Sequence, residues 1–172
     1  TANRVHDFAW FADMRFHVLH KNVDLPSGRT VDAWALFTNE EAELWRAAPD
    51  YLERSLLFYS EKVGEYPYPQ VTAVQSALSA GSGMEYPMIT VIGSSGTAAL
   101  LDEVITHEVG HNWFYGILAS DERDHPWMDE GINTYYEEQY MDRFYRPGSF
   151  LPEALLAGSE MSSSEMTFLL QA

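Results

Sequence analysis

An α+β fold, with helices packed on one face of a mixed sheet, is the architecture this sequence predicts. Strand-like segments come first and the long helical patterns afterwards, with no internal repeat to suggest a solenoid or propeller. The composition agrees. At 172 residues with 46% hydrophobic and 14% aromatic side chains, the chain can bury a substantial core as one domain, or as one lobe of a larger protein. No apolar run reaches the length needed to cross a bilayer.

Residues 16–19 and 31–36 alternate β-favouring side chains with others and flank the turn-like Asp24-Leu25-Pro26-Ser27-Gly28, predicting a long-looped hairpin of edge or meander strands. Asn39 offers an N-cap, and residues 40–63 carry apolar groups at helical spacing as far as Gly64, with Pro49 placed to kink or divide the helix. The stiff Tyr66-Pro67-Tyr68-Pro69 connector leads to strands predicted at 71–75 and 86–92, enclosing a Gly81-Ser82-Gly83 loop. Thr97 is the expected N-cap of a helix over 98–115, closed by Gly116. A turn-rich segment over 120–126 precedes a second helix beginning near Trp127. Arg146-Pro147-Gly148-Ser149 breaks that pattern before short helices around Ser162-Ser163-Ser164.

A net charge of −16, from 10 basic against 26 acidic residues, sets the field of the chain against nucleic acid and anionic membranes. With no cysteine, disulfides, thiolate metal ligands and cysteine nucleophiles are all excluded. The chain reads as a soluble domain whose compartment stays open, a periplasmic or secreted parent included. It starts at Thr1 without the zones of a signal peptide and stops inside the apolar Leu169-Leu170-Gln171-Ala172. It therefore reads as a piece whose N- and C-terminal neighbouring domains are missing.

The chemistry concentrates in His107-Glu108-Val109-Gly110-His111 and in Trp127-Met128-Asp129-Glu130-Gly131. Positions i and i+4 of a helix share a face, so His107 and His111 can offer two imidazole nitrogens to one zinc ion. Glu130, with eighteen residues between it and His111, can supply a third ligand from an adjacent helix and leave a fourth position for water. Glu108 adjoins the pair without being needed as a ligand, which makes it the candidate general base. Gly110, a residue costing about 1 kcal/mol in a helix interior relative to Ala, points to close packing beside the metal. Glu137, seven residues after Glu130, shares its helix face and is a candidate outer partner for a histidine ring, or else a solvent-facing carboxylate.

His107 to Phe114, Trp127 to Gly131 and the segment 59–69, with Glu61, Gly64, Tyr66-Pro67 and Tyr68-Pro69, together resemble the M1 family of zinc metallopeptidases, the gluzincins. The likeness spans about residues 37–140 and implies a thermolysin-like zincin lobe with one Zn2+ per chain. Ser82-Gly83-Met84-Glu85-Tyr86 resembles the family's Gly-Ala-Met-Glu-Asn motif. That resemblance implies that Gly83, Met84 and Glu85 bind substrate, with Glu85 pairing with the free α-amino group; outside it, Glu85 reads as an edge-strand carboxylate. Ser82 and Tyr86 depart from the motif. The resemblance divides the chain into leading strands over 1–36, at the junction with a preceding domain, and a catalytic lobe over 37–172, cut short at its C-terminal end. It also implies a transition-state tyrosine downstream of Ala172, because Tyr135, Tyr136, Tyr140 and Tyr145 lie too near Glu130.

The expected function is release of N-terminal residues from peptides with a free amino terminus. The alternatives are a zinc endopeptidase using the same metal, and a catalytically weak, zinc-stabilised binding module that lacks the downstream tyrosine.

Overall fold

The computed structural model describes residues 5–79 and 81–145; the break and short helices expected over 146–172 lie outside the described residues. Strands β1 (His17–Asp24) and β2 (Thr30–Phe37) form the expected hairpin, antiparallel from His17 opposite Phe37 to Asp24 opposite Thr30. Along β2, Val31, Ala33, Ala35 and Phe37 are buried while Thr30 and Asp32 are exposed, so the two-residue period turns one side of the strand to the core. There they join Leu52 and Leu56 of helix α2 (Ala48–Lys62) and Leu101, Ile105 and Val109 of helix α3 (Ala98–Phe114).

After this crossover β2 pairs in parallel with β3 (Gln70–Gln75), and β3 in parallel with β5 (Ile89–Ile92). β4 (Gly83–Tyr86) closes the other edge antiparallel to β5, giving the order β1-β2-β3-β5-β4. The α+β class and the mixed sheet are as expected. Strands before residue 37 belong to the same sheet as those after it.

The helical stretch over 40–63 divides, as the position of Pro49 allows, into a short α1 (Ala42–Trp45) and α2, but Asn39 is not the cap. Proline lacks an N–H and fits only the first helical turn, so the chain breaks at Arg46-Ala47 and restarts with Pro49 near the N-terminus of α2. The strand over 86–92 is likewise two. Pro87 cannot donate to a ladder, and Met88 takes a left-handed φ of 65°, so the chain turns there and the hairpin partner begins at Gly83.

The second helix starts as expected at Trp127, as a π-helical turn (Trp127–Gly131) that runs into α4 (Ile132–Phe144). A buried cluster clamps the helices together. Asp102 of α3 takes an ion pair from Arg54 of α2 and hydrogen bonds from the hydroxyls of Tyr140 (2.8 Å) and Tyr145 (2.6 Å). Among the described residues no helix is long and apolar enough to cross a membrane.

Candidate active site

Helix α3 carries the first donors, and its start is fixed from two sides. The Thr97 side chain accepts from the Leu100 N–H at 3.2 Å, as an N-cap should. The loop before it is held by Glu41, whose carboxylate accepts from the N–H groups of Ser95 (3.1 Å) and Gly96 (2.6 Å) and from the Ser94 hydroxyl (2.9 Å). Burial pushes the Glu41 carboxyl up, but these donors outweigh it and leave it below the usual glutamate range.

One helical turn apart, His107 and His111 bring their Nε2 atoms to 3.1 Å from each other. Glu130 Oε2 lies 3.4 Å from the first and 3.6 Å from the second. The outer nitrogens are both occupied: His107 Nδ1 donates to Glu137 Oε2 at 2.7 Å, and His111 Nδ1 to Asp129 Oδ1 at 2.5 Å. A carboxylate on each Nδ1 keeps the ring proton there and turns both Nε2 lone pairs inward. Two such lone pairs repel unless a proton or a metal ion lies between them, and on a tetrahedral zinc, at ~2.0–2.1 Å from each nitrogen, they would sit roughly 3.3 Å apart. The donor set fits zinc.

The surrounding charge favours a cation as well. Burial disfavours charge on His107, yet Glu130 and Glu137 outweigh it and hold the ring well above the usual histidine range. For His111 the same balance against burial is struck by Asp129. Glu130 is held below the usual carboxylate range by its interaction with His107.

Glu108 sits beside the donors almost fully buried, and its Oε2 has no hydrogen-bond partner. Burial pushes its carboxyl up to about 7. The space it fills is left by Gly83 of β4, where a Cβ would overlap the Glu108 carboxylate. Two residues along β4, on the same side, is Glu85, raised above the usual carboxylate range by burial. Gly83, Glu85, His107, Glu108, His111 and Glu130 all line one cavity of about 420 Å³. Met84, between them, faces the other way by the strand period and does not line it.

Three residues that no motif marks position this site. Asp129, beside Glu130 in the Trp127–Gly131 turn, orients His111, and both side chains are 1% exposed. Asn112 accepts the Met88 N–H at 2.9 Å and so ties the β4–β5 turn to α3. Glu41 steadies the approach to α3. Only Asp129 carried a signal, as a carboxylate next to the third donor. Among the tyrosines near Glu130 in sequence, Tyr140 and Tyr145 are committed to Asp102 and Tyr136 stacks on Phe114, while Tyr135 is half exposed.

Two imidazoles, a carboxylate donor and a free carboxylate in one cleft are the equipment of a metal-dependent hydrolase. The chain matches the Peptidase family M1 domain over residues 48–167 and belongs to peptidase family M1. It is 26% identical over 145 residues to aminopeptidase N of Lactobacillus delbrueckii subsp. lactis, a stretch covering 77% of this chain and 16% of that protein. To aminopeptidase Q of Mus musculus it is 34% identical over 47 residues, 27% of this chain and 8% of that one. The chain thus spans a small part of the curated relatives it matches. Among solved structures, aminopeptidase A of Legionella pneumophila in complex with aspartic acid superposes with a TM-score of 0.62 at 13% identity, covering 76% of this chain and 17% of that one. The M1 zinc metallopeptidase of Deinococcus radiodurans gives 0.56 at 19% identity, covering 74% and 29%. At these identities the likeness is one of fold.

Proposed function

We propose that this chain holds one zinc ion through His107, His111 and Glu130 and hydrolyses peptide bonds beside it, releasing N-terminal residues. The observation that carries this reading is the convergence of His107 Nε2, His111 Nε2 and Glu130 Oε2 next to the buried, unpartnered Glu108 Oε2. Zinc held there supplies Lewis acidity and lowers the pKa of a water to about 7. Glu108 takes the proton of the attacking water and hands it to the leaving nitrogen, a role its burial beside the donors supports. Glu137 and Asp129 hold the two rings in the tautomer that presents Nε2.

Glu85 provides the end-recognition. A fixed carboxylate in the same cavity pairs with the ammonium of a peptide N-terminus and brings the first peptide bond to the metal. β4 is an edge strand, and Gly83 offers main-chain groups to an extended peptide on its open side, whereas the Met84 carbonyl is turned to β5 and accepts from the Thr90 hydroxyl at 3.1 Å.

The test compares free-amine and N-acetylated peptides of one sequence with the full-length protein, zinc-loaded and chelator-treated. Release of the first residue from the free peptide alone, abolished by chelation and restored by zinc, is the expected result. Undiminished cleavage after zinc removal overturns the metal role. Equal internal cleavage of the blocked peptide replaces the aminopeptidase reading with an endopeptidase one.

A further inference from the structure

Where α3 packs against α2 and α4 lies an interface of aromatic rings, with Tyr59 of α2 stacked on Trp113 at 5.2 Å and Phe114 on Tyr136 of α4 at 5.7 Å. One polar side chain is sunk into it. Asn133, in the first turn of α4, is 0% exposed. A buried amide is costly unless bonded, so an apolar residue would be the simpler choice for packing alone. Both ends of this amide are used. Its Nδ2 donates to the main-chain carbonyl of His107 at 2.8 Å, and its Oδ1 accepts from the Tyr59 hydroxyl at 3.1 Å.

Gly110 makes room for this arrangement. A Cβ at that position would overlap Asn133 Oδ1 and the Tyr59 hydroxyl, so the missing side chain on α3 and the amide on α4 occupy a single space. The close packing that a glycine in mid-helix implies at Gly110 is supplied by Asn133 and Tyr59.

The anchored carbonyl belongs to His107 itself. In a helix that carbonyl also takes the N–H four residues on, which is that of His111, so the main-chain links of both histidines meet at the atom Asn133 grips. Asn133 stands three residues after Glu130 and four before Glu137. Those two carboxylates meet opposite nitrogens of the His107 ring, at 3.4 and 2.7 Å. The Asn133 amide therefore adds a third fixed point between the same stretch of chain and the same residue.

We propose that Asn133 is a positioning residue for the metal site: its amide, seated in the space left by Gly110 and held by Tyr59, fixes Glu130 and Glu137 in register with His107. This rests on the zinc reading above. A displacement of ~1 Å at such a site is enough to cost about a hundredfold in function, and outer partners of metal ligands typically contribute 10–100-fold in affinity.

The experiment measures zinc affinity of the folded protein by competition with a chromophoric chelator, with circular dichroism to establish the folded fraction and the visible spectrum of the Co2+ form to report donor geometry. Asn133→Ala is expected to fold, to bind zinc about 10–100-fold more weakly and to shift the cobalt bands. Tyr59→Phe, which removes the hydroxyl that holds Oδ1 but leaves the bond to His107, should move both readouts in the same direction by less. A folded Asn133→Ala protein with unchanged zinc affinity and cobalt spectrum overturns the proposal. If that variant does not fold, Tyr59→Phe decides: both readouts unchanged overturn it. Folded parent protein that binds no zinc overturns the zinc reading first, and the role of Asn133 with it.

Discussion

Gly83 and Glu108 share one space, so that the edge strand β4 and helix α3 meet at the carboxylate we propose as the general base. Gly83→Ala is therefore expected to swing the Glu108 carboxylate out of position. In the full-length protein it should lower kcat about 100-fold while zinc stays bound. Glu108→Gln keeps the shape and removes the base, and should lower kcat by about 10²–10⁴-fold, again with zinc retained. Metal analysis alongside steady-state kinetics checks both, and near-normal turnover in Glu108→Gln removes the base assignment.

Metal affinity should fall in two grades. His107→Ala removes a proposed ligand and is expected to weaken zinc by more than the 10–100-fold typical of outer partners. Asp129→Asn leaves every ligand in place but takes the charge from the carboxylate behind His111, and about a 10-fold loss is expected. Competition titration measures both. Wild-type affinity in His107→Ala rules out the ligand set.

Glu85→Ala should separate substrates by their N-termini. Hydrogen bonds to charged groups are worth roughly 1.5–3 kcal/mol, so kcat/KM for free-amine peptides should fall by about 10–100-fold while N-acetylated ones change little. Equal losses on the two series would remove the amine-anchor role and leave the metal chemistry intact.

Glu41 predicts how stability follows pH. Its pKa is lower in the folded chain than its ordinary 4.5, so its charge stabilises the fold in full above that value. The contribution is lost as pH falls through the lower folded value. Glu41→Gln should cost on the order of 1 kcal/mol at pH 7, because it gives up charge-assisted bonds to Ser95 and Gly96. Thermal or denaturant unfolding at pH 7 and pH 3 provides the measurement. The gap between the two proteins should narrow at the lower pH, and a constant gap would show that the charge does not matter.

Much of the site was legible because it is local. The four-residue spacing of His107 and His111 sets their common face as soon as a helix forms, and Thr97 marks where that helix starts. The hairpin over 17–37 and the helical start at Trp127 were equally readable from period and turn residues. Where two local signals compete, the outcome differs: Pro49 is legible as a point at which the helix can divide, whereas Pro87 outweighs a continuous β-favouring run and ends β4.

The sequence by itself determined which residues could act as donors and bases, and the class of fold that would carry them. Only the tertiary structure decided their partners. It chose Asp129 for His111, Glu137 for His107, Asn133 for the His107 carbonyl, Asn112 for the β4–β5 turn and Glu41 for the loop before α3. A carboxylate or amide in a sequence carries no mark of whether it will face water or a ring nitrogen. Periodicity fixes relations within an element, whereas these contacts join elements 18 to 55 residues apart and arise only when packed helices and strands bring them within hydrogen-bond reach.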